Sequence, residues 1–211
     1  MLSLSPLLIA ALVLPAPVPT QLPTAQAAPR AEAQQILRQG NALFQQGDVN
    51  GAIAAWQQAL ERYQQLEDLQ GEATALGNLG FAANAIGAYD QATGLYRTAL
   101  GLARDLGNTE QALTFLANLG LAHSALEQYE LAIGAYEEAL PLAQAQGDRA
   151  AEGTIAGDLA IAHERVGQYA RAGELYRVVL AVANEQGNGE MAVVAQQGLE
   201  RVENALKALN E

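Results

Sequence analysis

Apolar residues recur at helical spacing through most of this chain. Over residues 71–86 they fall at Ala73, Leu76, Leu79, Ala83 and Ile86, in steps of three and four. Gly87-Ala88 interrupts the run. The pattern resumes over 89–106 at Tyr89, Ala92, Leu95, Tyr96, Ala99, Leu100, Ala103 and Leu106, and Gly107-Asn108 ends it. Two amphipathic helices joined by a tight turn are expected, with Asn108 or Thr109 capping the next helix.

The same 40-residue unit recurs over 31–70, 71–110, 111–150 and 151–190, followed by the half-length segment 191–211. Gly40, Gly80, Gly120 and Ala160 share one position. Ala52, Ala92, Ala132 and Ala172 share a second, Trp56, Tyr96, Tyr136 and Tyr176 a third, and Leu60, Leu100, Leu140 and Leu180 a fourth. A fixed period of this length marks a solenoid, in which each unit buries its apolar face against its neighbours. The turns repeat as well, at Gly47-Asp48, Gly147-Asp148, Gly167-Gln168 and Gly187-Asn188, with Glu127 standing where a glycine is expected. A mid-helix glycine costs about 1 kcal/mol relative to alanine. Gly80 and Gly120 therefore predict the close approach of another helix backbone. Pro141 falls inside a second helix and predicts a kink there.

The segment 191–211 reads as one capping helix. Leu199, Val202, Leu206 and Leu209 are placed to lie on the fourth block, and Glu200, Arg201, Glu203 and Lys207 to face water. The fold class is then all-α, a right-handed solenoid of helix-turn-helix repeats over 28–190 closed by that helix.

Charge narrows the function. The net charge is −12, and the 11 basic residues are scattered. Nucleic-acid backbones and anionic membrane surfaces need concentrated positive charge, so neither is an expected partner. There is no cysteine, which removes disulfides, thiolate catalysis and cysteine metal sites.

Residues 1–27 have a different character. They carry no charge, and Leu7 to Leu14 form an apolar run of eight residues. That run is too short to span a bilayer, which takes roughly 20 residues. With the prolines that follow and the Ala25-Gln26-Ala27 pattern, it reads as a secretory signal, although no basic residue precedes it. Ala28 is then the expected mature N-terminus, with no integral membrane span beyond it. The expected location is exported: periplasm, lumen or extracellular medium.

No catalytic, metal or cofactor constellation emerges. His123 and His163 stand one repeat apart, and stacked helices separate equivalent residues by about 8–10 Å. That is too far for two ligands on one ion. Ser124 adjoins His123 in sequence, but adjacent helical residues point apart.

The block pattern resembles the tetratricopeptide repeat. Block two carries it as Leu76, Leu79-Gly80, Ala83, Gly87-Ala88-Tyr89, Ala92, Tyr96 and Ala99. Block three does so as Leu116, Leu119-Gly120, His123, Tyr129, Ala132, Tyr136 and Ala139. The 40-residue period, against the usual 34, is similar to the longer-helix repeats of kinesin light chain. The resemblance implies a non-enzymatic scaffold whose first helices line a concave groove for a protein or peptide segment. The ligand-facing positions it implies are Thr74, Asn78, Phe81, Thr114, Asn118, Leu121, Thr154, Asp158 and Ile161. It also places the two histidines at a position the family buries. Asn78 and Asn118 look like rungs of an asparagine ladder holding a peptide backbone, and tying neighbouring helices together is the competing role. Homo-oligomeric self-association is the alternative function.

Overall fold

The computed structural model describes residues 24–209. Its residues fall into two compact units, 24–118 and 119–209, divided within one helix. Every element among the described residues is a helix: α1 (Thr24–Gln45), α2 (Val49–Gln65), α3 (Leu69–Ala85), α4 (Tyr89–Asp105), α5 (Thr109–Ala125), α6 (Tyr129–Gln146), α7 (Arg149–Arg165), α8 (Tyr169–Gln186) and α9 (Gly189–Leu209). The helix-turn-helix repeats predicted from the apolar spacing are present, within two residues of the expected ends for α3 and α4. The apolar run Leu7–Leu14 and the prolines through Pro23 lie outside the described residues. α1 begins at Thr24, runs through the Ala25-Gln26-Ala27 pattern and carries Pro29 within it.

In the unit 24–118, α1 packs on α2, α2 on α3 and α3 on α4. The buried cluster at its start joins Ala33, Leu37, Ala52, Trp56, Ala59, Tyr63, Ala75, Leu79 and Ala82. In the unit 119–209, α6 packs on α7, α7 on α8, and α8 on α9. Tyr136, Tyr176 and Val182 are fully buried there.

The repeated glycines make room for aromatic rings rather than for a helix backbone, contrary to the sequence expectation. A Cβ on Gly40 would stand 2.5 Å from the Trp56 indole, one on Gly80 2.8 Å from the Tyr96 ring, and one on Gly120 2.5 Å from the Tyr136 ring. In these three blocks the ring on the second helix occupies the space beside the bare Cα of its partner first helix. In the fourth block Ala160 replaces the glycine, and Tyr176 packs on Gly198 of α9 instead.

The turns follow one rule. Gly47, Gly87, Gly107, Gly147, Gly167 and Gly187 all have positive φ, and Glu127 adopts the same left-handed conformation at φ 58°. Glu67 does so too, at φ 54°, where the other three blocks have Gly107, Gly147 and Gly187. Capping is uneven. Asp68, Asn108, Asp148 and Asn188 each accept from the backbone N–H three residues on, at the start of a first helix. Among the second helices only Asp48 does this, and Ala88, Gln128 and Gln168 make no side-chain cap.

α6 continues through Pro141 without a break, with the proline ring exposed. On α9, Val202 is buried and Leu199 and Leu206 are half-buried, while Glu200, Arg201, Glu203 and Lys207 face water. Leu209 does not join the fourth block. It is 70% exposed at the last described turn of α9.

Candidate functional site

The positions that the family resemblance implies are ligand-facing divide sharply by burial. In the unit 24–118, Thr74 and Asn78 are closed off by neighbouring first helices. The Thr74 hydroxyl donates to the Gln70 carbonyl at 2.9 Å and accepts from the Gln111 amide of α5 at 2.9 Å. That contact belongs to an amide cluster in which Gln70 donates to Gln111 at 2.6 Å and Asn108 donates to Gln70 at 3.1 Å. Gly77, between Thr74 and Asn78, meets the Phe115 ring of α5.

Asn78 is 0% exposed. Its amide donates to the Asn41 side-chain oxygen at 3.1 Å, and the Trp56 indole N–H donates to the same oxygen at 2.9 Å. Asn78 therefore ties α3 to α1, which is the packing role weighed against the ladder. Its own Oδ1 is left without a partner. Asn118 is also buried, donating to the Thr114 carbonyl at 2.9 Å, and its Oδ1 is likewise unpaired. Buried polar atoms are normally satisfied, so two such acceptors at one repeat position call for a reason.

The reachable members of this unit are few. Phe81 is half-buried and packs at 4.9 Å on Phe44. Thr114 is half-buried, its hydroxyl bonded to the Glu110 carbonyl at 3.1 Å.

In the unit 119–209 the corresponding face is more open. Leu121 is half-buried, and on α7 a partly exposed stripe runs through Thr154, Gly157, Asp158 and Ile161 at three- and four-residue steps. The Thr154 hydroxyl turns back to the Ala150 carbonyl at 2.9 Å. Asp158 Oδ2 is buried and unpaired. Burial pushes the Asp158 carboxyl up to about 7.

The histidines are held by their own turns. Nδ1 of His123 lies 2.7 Å from Gln128 Oε1, and Nδ1 of His163 lies 2.6 Å from Gln168 Oε1. These glutamines occupy the position where Asp48 caps its helix, and they clamp a ring instead. No group of three His, Cys, Asp or Glu side chains suited to a metal ion occurs among the described residues. No described helix is long and apolar enough to cross a membrane.

Two groupings escaped sequence reasoning. One is the Asn41 acceptor. The signal was present, because Trp56 alone among the repeated aromatics has a donor-only edge, and Asn41 alone among Asn41, Phe81, Leu121 and Ile161 can accept from it. The other is on α9, where Arg201 bonds both Glu164, at 2.9 Å, and the Tyr176 hydroxyl, at 3.0 Å, while that hydroxyl also bonds Glu164.

Comparison with known proteins places these features. The structure is similar to that of BtubC (BKLC) from P. vanneervenii, at 21% identity over 86% of this chain and 82% of that one, with a TM-score of 0.67. It is also similar to the putative kinesin light chain with nearly identical TPR-like repeats from Podosopora anserina, at 19% identity over 85% of this chain and 88% of that one, with a TM-score of 0.70. A third likeness is to the apo form of RapI, at 14% identity and a TM-score of 0.75, where this chain spans 65% of the other's length. These likenesses concern the fold. No curated protein sequence matches the chain. The family model of the tetratricopeptide repeat matches residues 32–105 and 110–185, which together make up most of the sequence, and the chain belongs to that family.

Proposed function

We propose that this chain is an exported, non-enzymatic scaffold that holds an extended or helical segment of a protein partner against the first helices of its repeats. Tetratricopeptide repeats are interaction modules, which supplies the general class. The observation that carries the specific reading is the repetition of an unpaired acceptor. Asn78, Asn118 and Asp158 stand at the same position of three successive blocks, and each leaves one side-chain oxygen without a hydrogen bond. A partner presenting N–H donors would satisfy oxygens that the fold leaves bare. Because Asn78 is enclosed and bonded to Asn41, contact there needs a local shift of α1 against α3. In the unit 24–118 the half-buried Phe81 and Thr114 are the reachable positions, and in the unit 119–209 they are Leu121, Thr154, Asp158 and Ile161.

The test is selection of a displayed random-peptide library on the full chain and on a Leu121→Arg/Ile161→Arg double variant. Recovery of a shared motif by the wild type and its loss in an equally stable variant supports the reading. Failure to recover any motif, or the same motif from both proteins, overturns it. Export rests on the apolar run Leu7–Leu14 and the Ala25-Gln26-Ala27 pattern. It is tested by the N-terminal mass of the protein recovered outside the cytoplasm, expected to begin at Ala28.

One observation favours a second reading, self-association. Val193 and Val194 are 51% and 43% exposed on α9. In the earlier blocks the position of Val193 is buried, at Ala33, Ala73, Leu113 and Gly153. A second copy covering these valines would give a scattering mass that rises with concentration and falls back in a Val193→Lys variant.

A further inference from the structure

We propose that Asp158 is a subsite for a basic side chain, a lysine or arginine of the bound segment, and sets the partner's charge requirement at that point. The inference rests on the reading of the first helices as the partner face. It names one chemical feature of the partner.

Position eight of the blocks is Arg38, Asn78, Asn118 and Asp158. Two neutral amides are thus followed by a carboxylate at the equivalent repeat position. Asn118 meets its surroundings by donating its amide to the carbonyl one turn back. A carboxylate has no donor, so Asp158 cannot repeat that bond to the carbonyl of Thr154. Its Oδ2 has no hydrogen bond.

No cation of its own unit serves it. Arg149 is engaged with Glu152 and Glu185, Arg171 with Glu174, and Arg201 with Glu164 and Tyr176. Arg165 lies over the Tyr129 ring at 5.8 Å. α6 contributes the Tyr136 hydroxyl, whose ionisation is opposed first by burial and then by the Asp158 charge. α8 brings Val179 to the adjacent Gly157, and the equivalent position of α9 is Gly198, which has no side chain. Within α7, Glu164 is taken by Tyr176 and Arg201, and His163 by Gln168. Burial alone acts on the Asp158 carboxyl. An uncompensated carboxylate of this kind is a cost in the free protein that an incoming ammonium or guanidinium removes. The residue sits on the partly exposed stripe with Thr154 and Ile161, and a small shift of the side chains over its buried Oδ2 lets such a group reach it.

The experiment repeats the peptide selection with the full chain and with Asp158→Asn, at a pH well above neutral. The wild type is expected to enrich peptides with lysine or arginine at one fixed register. Asp158→Asn is expected to recover the rest of the motif without that basic residue. A selected lysine peptide should bind the variant about tenfold more weakly. In the wild type its affinity should fall as pH drops through about 7, where the carboxyl takes up a proton. In the variant it should stay flat over that range. A wild-type motif lacking a basic residue, or a basic residue kept by Asp158→Asn, overturns the subsite while leaving the peptide reading standing. No motif from either protein overturns both.

Discussion

The side-chain oxygen of Asn41 accepts the indole N–H of Trp56 at 2.9 Å, and the same oxygen accepts the amide of Asn78 from the next block. One atom thereby links three helices. Asn41→Leu leaves two buried donors bare, and an unsatisfied buried donor costs about 1–3 kcal/mol. We expect a loss of about 2–3 kcal/mol in urea unfolding. Trp56→Phe should then cost less in the Asn41→Leu background than in the wild type, because the indole donor it removes is already bare there. A double-mutant cycle with purely additive losses would refute the shared-acceptor arrangement.

Glycines in this chain should respond to alanine with opposite signs. Gly94 and Gly134 are exposed in helix interiors, with nothing near the place of a Cβ. Alanine there should raise stability by about 0.8 kcal/mol. At Gly120 the new methyl meets the buried Tyr136 ring. Overpacking costs about 1–3 kcal/mol and outweighs the helix-propensity gain. Thermal melts of the three single variants decide the matter, and a stabilised Gly120→Ala would contradict the ring-over-glycine packing.

Much of this was legible beforehand. The period of 40, the helix ends and the left-handed turns follow from apolar spacing and glycine placement, because burial and backbone sterics act locally. Reading down the columns would also have exposed Glu67, which stands where three blocks carry glycine. The fate of Thr74 and Asn78 was not legible. Whether a polar residue on a first helix faces a partner or a neighbouring helix depends on side-chain bulk one block away, here Phe115 and Gln111. The role of the glycines was misread for a related reason. A gap in one helix does not say whether a backbone or a ring fills it.

Glu67 and Glu127 hold a conformation that costs a side chain about 1–2 kcal/mol relative to glycine. Glycine is more flexible when unfolded, which returns roughly half of that. Glu127→Gly should therefore gain about 0.5 kcal/mol in chemical denaturation. A loss would mean that the Glu127 side chain makes a contact worth more than the strain.

Asp158 should give the free protein a characteristic pH dependence. Its carboxyl is pushed up to about 7 when folded and returns to the ordinary range, near 4, when unfolded. The folded state thus binds the extra proton between those values. Stability from this group is fully present below about pH 4, declines as pH rises and is fully lost above about 7. Asp158→Asn should remove that slope and stabilise the protein by about 2 kcal/mol above neutral pH, discounted from roughly 4 because the residue keeps some exposure. Urea midpoints measured across this range in both proteins provide the comparison. An unchanged slope in the variant would assign the titration elsewhere.

Three of the four second helices, α4, α6 and α8, lack the caps that the first helices have. Ala88 stands where Asp48 bonds the N–H of Gly51. Ala88→Asp should supply that bond to α4 and gain about 1 kcal/mol. Loss of stability would show that the α3–α4 turn cannot reach the geometry of its counterpart.

That unevenness has a consequence for motion. The turns fastened by Asp68, Asn108, Asp148 and Asn188 join one sequence repeat to the next, whereas those at Ala88, Gln128 and Gln168 lie inside a repeat. Breathing of the native chain should therefore begin mid-repeat. Amide exchange would then find α6 with α7 opening together as partners. The segments that fluctuate as one would be offset by half a period from the segments that evolution copied.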